Sequence, residues 1–228
     1  MRKRKFIYVA ILTSSILFIC YAHALDLPKR FLFNKENALE EWQEKVFKNK
    51  VMYTVQSEEE ALLAKSEEGC SGLFYRIGFS PKEFPMISWQ WQVVEFPEKA
   101  AGETGPFDEK TGWIERDDYA ARVYVIFPSL NFSKTRCIEY IWDENLPEGT
   151  VMTSPYFKNI KLIVAESGRG NMEKWVLEEY NIYEDYIKVF GEAPRRNVGA
   201  IALMTDTDNT LSTAEALYKN IKVGYKNE

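Results

Sequence analysis

Apolar and polar residues alternate along most of the chain. From residue 51 onward, runs rich in Val, Ile, Tyr, Phe and Trp are separated by Gly, Pro, Asn or charged turns. A period of two is typical of β-strands with one buried face. The pattern predicts ten strands, at 51–56, 60–65, 72–79, 86–94, 119–127, 137–143, 159–166, 174–181, 198–205 and 220–225.

Helical spacing replaces this alternation in one segment. Gly191 and Pro194 follow that segment and predict where its short helix ends. Many short strands with one helix predict an all-β fold, an antiparallel β-sandwich of the jelly-roll type, similar to carbohydrate-binding modules and galactose-binding domains. Residues 97–116 show neither period, and we expect a flexible or disordered loop near a functional edge. The helical positions are Ile182, Tyr183, Tyr186, Ile187 and Phe190.

Residues 1–24 have the pattern of a cleavable Sec-type signal peptide. Four basic residues precede an apolar run at 6–22, and small residues at Ala22 and Ala24 flank His23 as signal peptidase requires. We expect cleavage after Ala24 and a single periplasmic or secreted domain over 25–228. An uncleaved membrane anchor fits less well because the run is short. A lipoprotein at Cys20 fits poorly because bulky residues precede that cysteine.

Removal of this leader changes the chemistry of the chain. The formal net charge falls from −5 to −9, because the leader has four basic and no acidic residues. So acidic a chain is not expected to bind nucleic acid or anionic membranes, and we expect membrane contact through the signal peptide alone. His23, the one histidine, leaves with the leader, which excludes His-based catalysis and His-ligated metal sites. We therefore favour a non-catalytic protein; its oligomeric state is not indicated.

Two cysteines remain in the mature chain, Cys70 and Cys137. In an oxidising compartment the pair predicts a disulfide, whose long loop would stabilise the fold by about 4 kcal/mol. Two separate buried thiols are the alternative, since both cysteines lie in apolar, strand-like segments.

A first candidate site lies on the strand at 86–94. Its alternation places Gln90 and Gln92 on the face opposite Trp89 and Trp91. The two glutamines line a polar binding face under one interpretation. Under the other, they are simply solvated above a tryptophan core.

A second candidate site follows from a charge in mid-strand. Asp118, Arg122 and Tyr124 share one strand face, and Arg122 needs an acceptor there. Asp118, Glu139 or a ligand can provide it, so the arginine has either a structural or a ligand-binding role. Asp118 with Glu139 is also the carboxylate pair that a glycosidase would use.

Two further features indicate ligands. Tyr140 and Trp142 form either a surface for stacking a sugar ring or part of the core. Asp206, Asp208 and Asn209 follow a strand with the alternating oxygen-bearing side chains that Ca²⁺ prefers. A plain turn explains the same three residues, because the glycine and distal glutamate of an EF-hand loop are missing.

The order of several segments resembles a known family of secreted bacterial proteins, domain of unknown function 3047. The segments are 88–91, 117–124, 140–142 and 202–210, which together reach across most of the mature chain. The resemblance implies a bacterial, periplasmic protein and brings no activity with it. We expect an exported, non-catalytic domain that binds a glycan or another small polyhydroxylated ligand. A carbohydrate-active enzyme using Asp118 and Glu139, and a structural or assembly component of the cell envelope, are the alternatives.

Overall fold

A computed structural model describes residues 27–99 and 117–226 of the protein. The predicted signal peptide, with Ala24 and Cys20, lies outside the described residues, as does the predicted loop from residue 100 onward. Within the described ranges, no helix is long and apolar enough to cross a membrane.

The described chain forms strands and one α-helix, α1, at Ile182–Phe190. The strands are β1 (Lys29–Phe31), β2 (Gln43–Val46), β3 (Met52–Gln56), β4 (Ala61–Glu67), β5 (Cys70–Phe79), β6 (Met86–Glu95), β7 (Arg122–Phe127), β8 (Arg136–Asp143), β9 (Val151–Thr153), β10 (Ile160–Ser167), β11 (Val176–Asn181), β12 (Val198–Asp206) and β13 (Thr213–Tyr225).

These strands build two sheets that pack face to face. The first sheet has the order β11-β6-β13-β4-β3, with β1 also paired to β13. The second sheet has the order β2-β5-β12-β7-β8-β10-β9. Neighbours are antiparallel throughout, except that β8 and β10 run parallel. The predicted β-sandwich of the jelly-roll class is confirmed, with this one parallel pair as an addition.

The core lies between the sheets and is rich in aromatic rings. Trp89 and Trp91 point inward from β6 with no exposed surface, and their rings meet edge to face at 5.3 Å. Trp142 approaches Trp91 from the opposite sheet at 5.9 Å. Burying each such side chain contributes roughly 1.5–3 kcal/mol, which is why the alternation on β6 fixes its inner face.

The helix has the predicted bounds, and its ends show why. The side chain of Asn181 accepts hydrogen bonds from the backbone N–H groups of Tyr183 and Glu184, which caps the first turn. Gly191 adopts a left-handed conformation with φ 73°, and its N–H donates to the carbonyl of Ile187. This is the glycine C-cap expected from the sequence.

The short strands β1, β2 and β9 were not predicted, because three or four residues are too few to show a period of two. β13 is much longer than expected, since irregular pairing interrupts its alternation and Asn220 has a positive φ of 53°. β7 begins only at Arg122, three residues later than predicted.

Cys70 and Cys137 are both free thiols, so the predicted disulfide is wrong. The two residues lie on β5 and β8 of one sheet, with β12 and β7 between them. Three strand spacings of about 4.8 Å already exceed the distance of about 7 Å that a disulfide can bridge. Cys70 also pairs in register with Asp206 at one end of the sheet, and Cys137 with Ile126 near the other.

Candidate functional site

The outer face of the second sheet, which points away from the core, carries a buried cluster of charged side chains. Tyr124 of β7 pairs in register with Glu139 of β8, so both side chains project from this face. Arg122 lies two residues before Tyr124 and shares that face. The structure thus brings together Arg122, Tyr124 and Glu139, and Glu139 is one of the acceptors that were expected for Arg122.

Arg122 is the centre of the cluster and is only 3% exposed. Its Nε and Nη2 atoms donate to the two carboxylate oxygens of Asp206 at 2.7 and 2.5 Å. Its Nη1 donates to Glu139 Oε1 at 2.5 Å, and Nη2 also donates to the carbonyl of Asp117. The guanidinium is therefore saturated by protein acceptors, which supports the structural role for Arg122 over direct capture of a ligand.

Asp117 is the carboxylate of the cluster that is left incompletely paired. Its Oδ1 is buried and has no hydrogen-bond partner within the described part of the chain. Arg122 Nη1 lies 3.7 Å from that oxygen. Burial raises the pKa of Asp117 to about 7; repulsion from Glu139 and Asp118 adds to this effect, and Arg122 opposes it. Asp117 is therefore a buried acid that exchanges its proton near neutral pH.

Asp118 has a different role from its neighbour. Its carboxylate accepts hydrogen bonds from the backbone N–H of Asn209 and from its Nδ2, the latter at 3.0 Å. It also accepts from the backbone N–H and hydroxyl of Thr210, at 2.6 and 2.7 Å. These contacts fix the β12–β13 turn against the start of β7. Asp118 is fully buried and committed to this turn, so it is not the free acid of a catalytic pair with Glu139.

Tyr156 completes the site from the β9–β10 loop. Its hydroxyl donates to Asn209 Oδ1 at 3.0 Å, while its residue remains 42% exposed. Burial of the hydroxyl end raises the pKa of Tyr156, and so does repulsion from Asp117 and Asp208. The tyrosine therefore lies beside the acid cluster with part of its ring open to solvent. Sequence reasoning missed it because it lies in a loop with no periodic pattern.

The strands beside the cluster form a floor of small and aromatic residues. Ala202 of β12 pairs in register with Phe74 on one side and with Tyr124 on the other. In-register partners share a face, so the alanine lies between two half-buried rings. Tyr124 pairs in turn with Glu139, so this row of in-register residues ends at the charged cluster.

The two glutamines of the first candidate site lie on the other sheet of the sandwich. Gln90 and Gln92 project from the outer face of the first sheet, opposite to the tryptophans, as predicted. Gln90 Oε1 accepts a hydrogen bond from Asn220 Nδ2 at 2.6 Å. The sandwich core separates them from Arg122, so they do not contribute to this site.

Tyr140 and Trp142 lie in the core, and the interpretation as a stacking surface is wrong. Both are fully buried between the sheets. The Tyr140 hydroxyl donates to Asp185 Oδ2 at 2.7 Å, and Trp142 Nε1 donates to the carbonyl of Gly168 at 3.0 Å. Their strand places them on the face opposite to Glu139 and Ile141, so these two residues project from the outer face of the sheet instead.

Two of the three predicted calcium ligands have side-chain oxygens that already accept hydrogen bonds from other protein groups. Both oxygens of Asp206 bind Arg122, and Asn209 Oδ1 accepts from Tyr156. Ligand atoms of Cys70, Asp206 and Asp208 do lie within 4.8 Å of one another. A thiol is a poor ligand for Ca²⁺, and burial raises the pKa of Cys70, which keeps it protonated. Calcium binding by Asp206, Asp208 and Asn209 stays a prediction.

A second acidic pair, absent from the sequence predictions, lies between the sheets at the β10–β11 side of the sandwich. Glu178 of β11 is 8% exposed and Glu166 of β10 is 7% exposed. Neither forms a salt bridge within the described ranges. Burial raises the pKa of Glu178 to about 8, and repulsion from Glu166 adds to the shift. Glu178 is therefore mostly protonated at neutral pH.

Comparisons with solved structures find β-rich folds at low identity. The xyloglucanase domain of NopAA, a type three effector from Sinorhizobium fredii, is 13% identical, with 81% of this chain and 91% of that chain covered at a TM-score of 0.47. The endoglucanase Cel12A from Rhodothermus marinus is 9% identical, with 86% and 97% covered at 0.47. The CBM22-1 xylan-binding domain of Paenibacillus barcinonensis Xyn10C is 11% identical, with 87% and 95% covered at 0.42.

Sequence comparisons identify the family of the chain. No curated protein matches the chain. A family model, described as protein of unknown function DUF3047, matches residues 40–222, in agreement with the resemblance seen in the sequence. Because this match covers most of the chain, the protein belongs to the DUF3047 family.

Proposed function

We propose that the protein is exported and binds a polyhydroxylated ligand, a glycan, on the outer face of the second sheet. The observation that carries this proposal is the position of Tyr156. Its ring is partly exposed, its hydroxyl is fixed by Asn209, and it is close enough to Asp117 for the carboxyl of that residue to raise the pKa of the tyrosine. An aromatic face next to hydrogen-bonding groups suits a sugar, which has an apolar ring face and hydroxyls at its rim.

The network around Tyr156 supports a preformed site. Asp118 fixes Asn209, and Asn209 fixes the tyrosine hydroxyl. A ring held in this way loses little conformational freedom when a ligand stacks on it, so little affinity is lost on binding.

Calorimetric titration of the mature chain with xylohexaose, cellohexaose and chitohexaose tests this proposal. We expect binding of at least one oligosaccharide and a loss of about tenfold or more in affinity for Tyr156→Ala, equivalent to about 1.4 kcal/mol. Phe157→Ala is the matched control, because this neighbouring aromatic is also exposed, at 39%. Equal affinities for Tyr156→Ala and the parent protein would place the ligand elsewhere.

A second candidate function is glycoside hydrolysis, and one observation favours it. Asp117 and Glu139 both lie within 3.7 Å of Arg122 Nη1, so their carboxyls are neighbours. A carboxyl with a raised pKa beside an ion-paired carboxylate is the arrangement of many glycosidases, in which the protonated acid donates to the leaving group. This pair differs from the predicted one, since Asp117 replaces Asp118.

The two functions are separated by Asp117→Asn. If the site is hydrolytic, this variant still binds the oligosaccharide but releases no reducing ends, whereas the parent protein does. If the site only binds, neither protein releases reducing ends. Glu179→Gln is the control, because this carboxylate is exposed on the outer face of the first sheet.

A further inference from the structure

The end of the sandwich that carries the β7–β8 loop combines exposed apolar side chains with basic ones. Leu130 is fully exposed, and Phe132 is 46% exposed. Lys134 follows them in the same loop and is also exposed. Exposed large apolar residues that neighbour each other on a soluble domain usually mark an interaction surface.

A second segment brings further basic residues to this loop. Arg196 Nη1 donates to the carbonyls of Pro128 and Lys134, at 3.5 and 3.4 Å, which joins the segment after α1 to the loop. The adjacent Arg195 has a side chain that is 85% exposed. We call the surface formed by Leu130, Phe132, Lys134, Arg195 and Arg196 the Leu130 patch.

The charge of this region is opposite to that of the whole protein. Glu192 is the acidic residue beside the patch, and it is shared between Arg136 at 2.7 Å and Arg195 at 3.0 Å. Lys134 and Arg196 form no salt bridge with a described residue. The patch is thus basic although the full chain has a formal net charge of −5.

The described chain also begins at this end. The side chain of Leu27 lies against Gly224, and the next residue, Tyr225, pairs with Met86 at the start of β6. α1 leaves the same end of the first sheet after Asn181, which also pairs with Met86, and Tyr186 of α1 contacts Arg136. Leu27 therefore lies at the end of the sandwich that carries the Leu130 patch.

We propose that the Leu130 patch docks the protein on an anionic membrane surface. Leu130 and Phe132 enter the headgroup region, while Lys134, Arg195 and Arg196 bind the lipid phosphates. A membrane explains both features of the patch, since an anionic polymer would use the charges but gain nothing from a fully exposed leucine. The docking is independent of the ligand site on the second sheet, and it departs from the expectation that net acidity excludes anionic membranes.

Vesicle co-sedimentation tests this proposal. The protein is purified after export, and its N-terminus is read by mass spectrometry so that protein retaining residues 1–24 is excluded. We expect binding to phosphatidylcholine vesicles with about one third phosphatidylglycerol, little binding to pure phosphatidylcholine, and release at about 0.5 M NaCl.

Two pairs of variants separate the contributions of the patch. Leu130→Ser with Phe132→Ser, and Lys134→Ser with Arg195→Ser, should each weaken binding by about tenfold or more. The controls are Leu177→Ser, an exposed leucine on β11, and Lys35→Ser with Lys174→Ser, which remove two exposed charges elsewhere. These controls should bind like the parent protein.

Three results would overturn the proposal. One is the absence of binding to the anionic vesicles. Another is binding that depends on the basic residues but not on Leu130 and Phe132, which would indicate an anionic polymer as partner. The third is equal loss in the patch variants and the controls. Because all variants change exposed side chains, matching thermal unfolding curves will show that they remain folded.

Discussion

The carboxylate of Asp118 accepts hydrogen bonds from both the backbone N–H and the side-chain amide of Asn209, although the two residues are 91 positions apart in the chain. Asn209 Oδ1 in turn accepts a hydrogen bond from the hydroxyl of Tyr156. A fully buried carboxylate thus positions a partly exposed aromatic ring through one intervening amide. The proposed ligand site depends on this relay.

The relay predicts that Asp118→Ala acts on stability and binding together. Removing a carboxylate that accepts several buried hydrogen bonds should lower the free energy of unfolding by about 3 kcal/mol, measured by urea denaturation. Tyr156 should also become mobile, so oligosaccharide affinity falls where binding is detected. Glu58→Ala, an exposed acid in a turn, is the control and should change stability little. An unfolding free energy unchanged by Asp118→Ala would contradict the relay.

Arg122→Met should be among the most destabilising substitutions in the protein. It leaves Glu139, Asp206 and Asp117 buried without their shared cation, at a cost of about 3–5 kcal/mol near neutral pH. The deficit should shrink as the pH falls, because burial raises the pKa values of Asp117 and Asp206 and both carboxyls then take up protons. Arg169→Met removes an exposed arginine that pairs with Glu144 and should cost no more than about 1 kcal/mol. Similar losses for the two variants would argue against a central role for Arg122.

Glu178 should make the folded protein less stable as the pH rises. Its pKa is raised by burial from 4.5 to about 8, so the folded protein holds this proton more tightly than the unfolded chain does. The stabilisation that this proton provides is complete below about pH 4.5 and decreases as the pH rises. It is lost once the pH passes about 8, a change on the order of 5 kcal/mol. Asp117 acts in the same direction up to about pH 7.

Glu178→Gln isolates this effect, because the amide resembles the protonated acid. The variant should lose less stability than the parent protein between pH 5 and 9 in thermal unfolding scans, and Glu179→Gln should follow the parent. Glu166, Glu148 and Tyr180 face Glu178 and remain in every variant. Parallel pH profiles for the parent and Glu178→Gln would show that Glu178 is not a buried neutral acid.

Thiol counting tests the sheet geometry. Denatured protein that has been purified without reductant should react with iodoacetamide at both Cys70 and Cys137, as mass spectrometry will show. Recovery of a linked Cys70–Cys137 peptide would require a different strand order in the second sheet.

The features that could be predicted from the sequence are those determined by residues close together in the chain. The alternation at 86–94 and the Gly191 cap are local, and both predicted elements formed where expected. A mid-strand charge demands a partner on its own face, so Asp118, Glu139 or a ligand was expected to accept from Arg122, and Glu139 does so. Arg122 took its second carboxylate from Asp206 on neighbouring β12, and the sequence did not show this pairing.

The errors arose where sheet order or loops decide the outcome. Tyr140 and Trp142 alternate with Glu139, Ile141 and Asp143, and periodicity alone does not say which face is buried. Glu178 was placed in a strand, but its proximity to Glu166 follows from how the two sheets stack. Tyr156 reaches Asn209 from a loop, and no period in the sequence joins them.

The most direct test of the central claim is an amide NMR titration of the mature chain with the oligosaccharide that binds most tightly in calorimetry. The account predicts shifts concentrated at the outer face of the second sheet, at residues 117–124, 139, 156 and 209. Shifts confined to the first sheet around Gln90 and Gln92, or no shift with any of the three hexasaccharides, would contradict it.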